Sequence, residues 1–165
     1  MAKREFVRFA SDDDVRALGE ALIARSVPKA QWTHAAHWAS TLWMLMERPE
    51  MLPERDMPGL ISAYNESVGG QNTDTAGYHE TITQASIRAA RRFLREREAL
   101  GEPLFVRCNA LMETELGDPE WLLEYWTKET LFSVEARRRW VEPDKAGFRA
   151  EGQGSSGGNG GSFVQ

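Results

Sequence analysis

Three histidines are the side chains in this sequence whose types and spacing suit metal binding or proton transfer. His34 and His37 stand three positions apart in the segment THAAHW, and His79 stands in the segment GYHET. Residues three positions apart lie on the same face of a helix, about one turn from each other. The spacing therefore predicts that His34 and His37 converge, and we expect His79 to join them from the start of a second helix.

Three converging imidazoles would form a site for a divalent metal ion. Imidazole nitrogen binds zinc and iron well, and three protein ligands leave a coordination position for water or substrate. We therefore predict zinc or iron at His34, His37 and His79. A metal-bound water becomes a nucleophile or a base near neutral pH, so the predicted chemistry is that of a hydrolase or a lyase acting on a small molecule.

Two carboxylates close to His79 are candidates for proton transfer. Glu80 is adjacent to His79 and would point about 100° away from it on a helix, which favours a role as base or as partner of the histidine over a role as metal ligand. Asp74 lies in the polar loop that leads to His79. Glu80 and Asp74 are therefore the predicted catalytic residues.

Polar and aromatic residues near the histidines are candidates for holding the substrate. Tyr64 and Asn65 end a predicted helix just before a glycine pair, and Asn72 and Tyr78 flank the loop that contains Asp74. Polar loops beside a reactive group often position substrates. Asn65 and Asn72 also suit helix capping and turn formation, which is the alternative interpretation of both residues.

Two other functions fit the same residues. In the first, a histidine and Glu80 form a metal-free acid and base pair in an apolar pocket, for isomerisation or dehydration. In the second, the chain is a non-enzymatic helical module that binds a partner or a small ligand. Because helical bundles often self-associate, a homodimer is compatible with all three functions.

The elements that must position these residues are helices. Ser11 precedes three aspartates, which is typical of an N-cap followed by acids in the first helical turn. The segment from Trp32 to Glu47 is apolar on nearly every side, which predicts a buried central helix. No run of residues alternates long enough to predict a sheet, so the expected fold is all-α, a compact bundle of about six helices. Further helices are expected over roughly 58–68 (capped by Asp56), 78–100 and 103–117, from residue 118 onward, and over 133–140.

Length and composition indicate one globular domain. The chain has 165 residues, which suits a single domain, and its one cysteine, Cys108, excludes an internal disulfide. Residues 1–150 form the predicted helical domain. Residues 151–165 (EGQGSSGGNGGSFVQ) are expected to be a disordered tail, because such a composition cannot bury enough apolar surface to fold.

Charge and hydropathy narrow the choice of partners. The chain carries 25 acidic and 20 basic side chains, a formal net charge of −5, so it has no excess of positive charge to neutralise the phosphates of a nucleic acid. No apolar run reaches the ~18–20 residues of a membrane span, and the first residues lack the apolar stretch of a secretory signal. We therefore expect a cytoplasmic protein that acts on a small-molecule substrate and binds neither nucleic acid nor membrane.

Three segments resemble an uncharacterised family of small bacterial proteins. They are THAAHW around His34 and His37, NTDTAGYHETIT over residues 72–83, and FSVEAR over residues 132–137. The resemblance extends over roughly residues 30–145, and the segment around His79 is its most specific part. It implies no particular reaction, but it implies that the histidine segments and the C-terminal segment belong to one unit.

Overall fold

The computed structural model describes residues 5–145 and residue 148. Within this part of the chain the fold is all-α, as predicted, with seven α-helices, four short 3-10 helices and no strand. None of these helices is both long enough and apolar enough to cross a lipid bilayer. The tail at residues 151–165 lies outside the described residues. The α-helices are α1 (Asp12–Ile23), α2 (His34–Glu47), α3 (Pro53–Ser67), α4 (Glu80–Glu96), α5 (Leu104–Met112), α6 (Lys128–Leu131) and α7 (Val134–Arg138).

The helix α2 lies at the centre of the molecule. It packs against α1, α3, α4 and α5, and its side chains Trp38, Leu42 and Met44 are almost completely buried. The helix α1 approaches α2 closely at Gly19, where an added Cβ would lie 2.2 Å from an atom of the Trp43 ring. The prediction of a buried central helix is therefore confirmed, and the absence of a side chain at Gly19 is what lets α1 pack on it.

Side-chain caps fix where the first two helices begin. The Ser11 hydroxyl accepts a hydrogen bond from the N–H of Asp14 at 3.2 Å, as predicted. The Thr33 hydroxyl accepts a hydrogen bond from the N–H of Ala36, also at 3.2 Å. Because Thr33 stands outside the helix as its cap, α2 begins at the next residue and not at Trp32, where the sequence places its start.

The helix α3 begins earlier than the sequence predicts. It starts at Pro53, where proline is favourable because the first helical N–H needs no acceptor, and the predicted start, Pro58, lies inside it. Asp56 is not the cap residue, although its carboxylate accepts a hydrogen bond from the backbone N–H that precedes the helix. Pro58 has no N–H to donate to the carbonyl of Glu54. Gln84 on α4 donates to that carbonyl instead, at 3.1 Å, so α4 supports α3 at the proline.

After α5 the chain forms two 3-10 turns and the short helices α6 and α7, so the helix predicted from residue 118 onward is broken into short pieces, whereas the short helix predicted over 133–140 is present as α7. The helix α5 ends at Met112, and the Thr114 hydroxyl then accepts a hydrogen bond from the N–H of Leu116 at 3.2 Å. This turn brings the Leu116 carbonyl to side chains of α2, so the chain bends back onto the central helix. The segment that follows packs around Trp126, which is completely buried. The C-terminal segment thereby forms one wall of the molecule's interior.

Candidate functional site

A cavity of about 510 Å³ lies between α2, α3, α4 and the C-terminal segment. Its volume is within the range of about 300–1,000 Å³ that is typical of small-molecule sites in proteins. Of the three predicted metal ligands, His34 and His37 line this cavity, whereas His79 does not. The apolar side chains of the wall include Trp38, Ile61, Ile82, Ile87, Leu122 and Leu131.

His37 presents its imidazole to the cavity, and no described residue forms a hydrogen bond with the ring. The ring stacks at a tilt on Trp32, with 4.0 Å between the ring centroids and 33° between the planes. The side chain is exposed to water at the edge of the cavity. The loss of part of its hydration against the cavity wall, and secondly the charge that His34 can carry, lower the pKa of His37. Near pH 7 the ring is therefore neutral, with one N–H and one nitrogen lone pair for a bound molecule.

His34 is fixed at the inner side of the same cavity. Its Nε2 lies 2.8 Å from the carbonyl oxygen of Leu116, and the indole N–H of Trp38 lies 2.9 Å from that oxygen and 3.1 Å from the Nε2 of His34. A carbonyl oxygen can only accept, and it is nearer to both groups than they are to each other, so we assign the Nε2–H tautomer to His34, with Trp38 donating to the carbonyl. The Nε2 of His34 is therefore a donor that the protein already uses, and it is not a metal ligand in this arrangement.

His79 is the N-cap of α4 and not a residue of the cavity wall. Its Nδ1 accepts a hydrogen bond from the N–H of Ile82 at 3.2 Å, and its Nε2 donates to the carbonyl of Leu131 at 2.7 Å. The residue is only 6% exposed, and burial is the largest cause of a lowered His79 pKa. Both nitrogens of the neutral ring are thus used within the protein. With this cap, α4 begins at Glu80 and ends at Glu96, inside the predicted range.

The described residues do not fit the predicted three-histidine metal centre. Within this part of the chain, no three or more histidine, cysteine, aspartate or glutamate side chains lie close enough together to hold a metal ion. His34 and His37 share the cavity, but His79 caps α4 with both of its nitrogens occupied. The prediction of zinc or iron therefore has no support in the arrangement of these side chains.

The two predicted catalytic carboxylates have structural partners and are not part of the described cavity lining. Glu80 accepts hydrogen bonds from the Tyr78 hydroxyl and, at 2.9 Å, from the side-chain amide of Gln84. Burial and the bond to Glu80 raise the pKa of Tyr78, so the phenol keeps its proton. Asp74 pairs on the surface with Arg138 through two hydrogen bonds of 2.7 and 2.6 Å. The contacts of both carboxylates support the loop before α4.

The predicted substrate-binding residues also have structural partners. Asn72 organises the loop between α3 and α4: its Oδ1 accepts from the Asn65 amide at 3.1 Å and from the Tyr78 N–H at 3.0 Å. Gly77 in this loop has a φ of +80°, and an added Cβ there would lie 2.2 Å from a backbone oxygen. Tyr64 is buried and donates at 2.9 Å to a carbonyl of the segment before α2. These contacts support the alternative interpretation of Asn65 and Asn72, in which they organise a turn and do not bind substrate.

The loop before α4 and the C-terminal segment, which the sequence leads us to expect in one unit, contact each other. The guanidinium of Arg137 donates to the carbonyls of Gly77 and Tyr78, at 2.9 and 3.2 Å. The Thr81 hydroxyl donates to the carbonyl of Arg139 at 2.8 Å. These hydrogen bonds therefore join the loop to the C-terminal segment and hold that segment in place beside the cavity.

Five further polar residues line the cavity without belonging to a chemical motif. Thr41 lies on α2, Thr83 and Ser86 lie on α4, and Glu120 and Lys128 belong to the C-terminal segment. Thr83 and Ser86 are three positions apart, so the sequence places them on one helix face, which is the only signal available for them. Glu120 and Lys128 reach the cavity through the long-range packing of the C-terminal segment, which no local pattern reports.

Comparison of the chain with protein-family models, with curated proteins and with solved structures finds no match, so the cavity itself is the basis for the function proposed below.

Proposed function

We propose that this protein binds a small, largely apolar molecule in the cavity, and that His37 is the polar group that contacts the molecule. The observation that carries this proposal is the surroundings of His37. Its ring lines a largely apolar cavity, is exposed to water there, and has no hydrogen-bonding partner among the described residues.

The wall of the cavity supports binding of an apolar molecule. Side chains such as Trp38, Ile82 and Leu131 present hydrocarbon and aromatic surface to the space. Burial of apolar surface contributes about 25 cal/mol per Å², so a ligand of ordinary size gains several kcal/mol from contact with such a wall. A polar group on the same ligand loses its water on binding and needs a partner, and the free imidazole of His37 is a suitable one.

An acid and base enzyme at the same site is a second candidate function. A neutral imidazole accepts a proton from a bound molecule when the two are within hydrogen-bonding reach, and the lowered pKa of His37 keeps the ring in its accepting form. In this candidate His37 is the base. The pair expected from the sequence, His79 and Glu80, does not fill that role, because both side chains already form hydrogen bonds within the protein. The candidate predicts a compound whose turnover is lost in His37→Asn while its binding is retained.

The metal-dependent enzyme predicted from the sequence is tested separately. The melting temperature of the purified protein is measured with added zinc, iron(II) or manganese and again with a chelator. A metal-induced rise that disappears in both His34→Ala and His37→Ala would support metal binding at the cavity. If neither metal nor chelator changes the melting temperature, the metal hypothesis is wrong.

The four isoleucines of the chain make a direct test of the binding proposal. Ile61, Ile82 and Ile87 line the cavity, whereas Ile23 lies on α1 away from it. The δ1 methyl groups of isoleucine give separate NMR signals, and we would titrate labelled protein with single-ring aromatic probes. We expect the three cavity methyl signals to shift together while the signal of Ile23 stays in place.

A cavity-filling variant completes this experiment. Ser86→Phe places a ring in the cavity and should abolish the shifts, and an unchanged Ile23 signal would report that the variant still folds. The proposal is wrong if no probe moves the three cavity methyl signals, or if Ile23 moves as much as they do.

A further inference from the structure

We propose that the ligand of this cavity carries a hydrogen-bond donor, and specifically that it is an apolar primary amine in its ammonium form. The inference rests on the proposed function, because it concerns the molecule that the same cavity binds. The supporting observation is that most hydrogen-bond donors of the cavity wall already bind other groups of the protein, whereas several acceptors keep a free lone pair.

The hydroxyl groups of the cavity wall already donate hydrogen bonds to other groups of the protein. The Thr41 hydroxyl donates to the carbonyl of His37 at 3.0 Å, and the Ser86 hydroxyl donates to the carbonyl of Ile82 at 2.7 Å. The Thr83 hydroxyl donates a hydrogen bond to the hydroxyl oxygen of Tyr78, and the Tyr78 hydroxyl donates its own hydrogen bond to Glu80. A hydroxyl has one proton and two lone pairs. Each of these groups is therefore left with acceptor capacity only.

Two N–H groups of the wall are also committed. The Nε2–H of His34 and the indole N–H of Trp38 both donate to the carbonyl oxygen of Leu116, at 2.8 and 2.9 Å. A ligand acceptor that approached these residues would compete with a buried carbonyl that already receives both bonds. The polar wall on α2 and α4 is thus rich in acceptors and poor in free donors, with the N–H of His37 as the exception.

An ammonium group matches such a wall better than a carboxylate does. The ammonium group has three N–H donors and no acceptor, whereas a carboxylate has only acceptors and would face the lone pairs of the hydroxyls. A buried polar group that lacks partners is costly, so the mismatch penalises an acid in this cavity. The rings of Trp38 and Trp121, 5.9 Å apart, add aromatic faces that attract cations.

Glu120 and Lys128 are the charged residues of the wall, and both are exposed. Neither forms an ion pair with another described residue. Lysine can keep its ammonium in water while its hydrocarbon stem covers apolar surface, so Lys128 is free to turn away from a bound cation. Glu120 is the only acidic side chain among the described lining residues, and an ammonium group of the ligand would pair with it. The ligand class that fits both the wall and Glu120 is therefore a cation with an apolar body.

Four probes of nearly the same shape test the inference at pH 7. They are 2-phenylethylamine, 2-phenylethanol, ethylbenzene and phenylacetate, titrated against the intact chain and followed by the isoleucine methyl signals. We expect the amine to bind most tightly, about tenfold more tightly than ethylbenzene. The alcohol should lie between these two, and phenylacetate should bind most weakly.

Variants identify the acceptors. Thr41→Val and Ser86→Ala each remove a hydrogen-bond acceptor with little change in side-chain shape. They should therefore lower the affinity for the amine several-fold and leave the affinity for ethylbenzene unchanged. Thr75→Val, at an exposed loop position, is the matched control and should change neither affinity. Glu120→Gln should weaken the amine selectively, and Lys128→Met should not weaken it.

The outcomes separate the inference from the proposed function. If all four probes shift the cavity methyl signals with equal affinity, the cavity binds apolar molecules and the amine inference is wrong. If phenylacetate binds most tightly and Lys128→Met removes its advantage, the ligand is an acid and the inference is overturned. If none of the four shifts these signals, the inference and the binding proposal both fail.

Discussion

Replacing His79 with alanine should destabilise the protein strongly, because this histidine makes two buried hydrogen bonds. His79→Ala removes the N-cap of α4, which costs about 0.5–2 kcal/mol. It also leaves the carbonyl of Leu131, a residue that is 2% exposed, without its donor. A buried acceptor without a partner costs about 1–3 kcal/mol. The two losses together predict a decrease of about 3 kcal/mol in the free energy of unfolding.

Equilibrium denaturation in urea measures this loss, and Ser11→Ala is the matched control. Ser11 caps α1 in the same way but is not bonded to a distant carbonyl, so its replacement should cost only the cap, about 1 kcal/mol. His79→Asn retains a good capping side chain and should fall between the two variants. If His79→Ala costs no more than Ser11→Ala, the assignment of His79 as a two-bond structural residue is wrong.

The same variant should change how stability depends on pH. Burial lowers the pKa of His79 in the folded protein, so the unfolded chain takes up the proton at a higher pH than the folded chain does. Stability is then fully present above the unfolded pKa of about 6.5 and falls as the pH decreases from there towards the folded pKa. In His79→Ala the decrease between pH 7 and pH 5 should be smaller than in the wild type, and an unchanged slope would contradict the argument.

Two further predictions concern the scaffold. Gly19→Ala should destabilise the protein by about 1–3 kcal/mol in urea denaturation, because the new Cβ overlaps the ring of Trp43. Gly59→Ala is its control: a Cβ there meets nothing within 4 Å, so this variant should be neutral or slightly stabilising. Asp74→Asn, which breaks the exposed pair with Arg138, should cost less than about 1 kcal/mol. That difference should shrink in 1 M NaCl, and a larger, salt-independent cost would show that Asp74 has another role.

The fold was largely predictable because its strongest signals are local. Ser11 with the aspartates after it marks the start of α1, and the apolar content of α2 predicts its central position. The errors arise where tertiary contacts override local signals. Pro58 resembles a helix start, but Gln84 accommodates it within α3 by bonding the carbonyl that the proline leaves without a donor. The turn after α5 combines a local cap, Thr114, with contacts from the α2 side chains His34 and Trp38 to the carbonyl of Leu116, and the sequence of α5 does not reveal those distant contacts.

The site was predictable only in part, because the partners of the histidines are distant in sequence. The i, i+3 spacing of His34 and His37 correctly predicts that the two share a face, and both line one cavity. The separation of His79 from them was not predictable, since its acceptor is the carbonyl of Leu131, 52 residues later. Histidine is also an uncommon N-cap, and a pattern that places it before a helix does not distinguish a cap from a ligand.

The bond from His79 to Leu131 links the loop before α4 to the cavity. Leu131 is part of the cavity wall, and the bond holds it at the end of α6, next to Phe132 on the same wall. Because Arg137 also binds the loop, through the carbonyl of Gly77, the C-terminal wall is anchored on both sides of Phe132. A substitution in the loop should therefore change the affinity of the cavity for an apolar probe without contacting the probe. The distinctive loop sequence would then matter to the function by setting the position of a wall, while the plain apolar residues of that wall and His37 make the contacts.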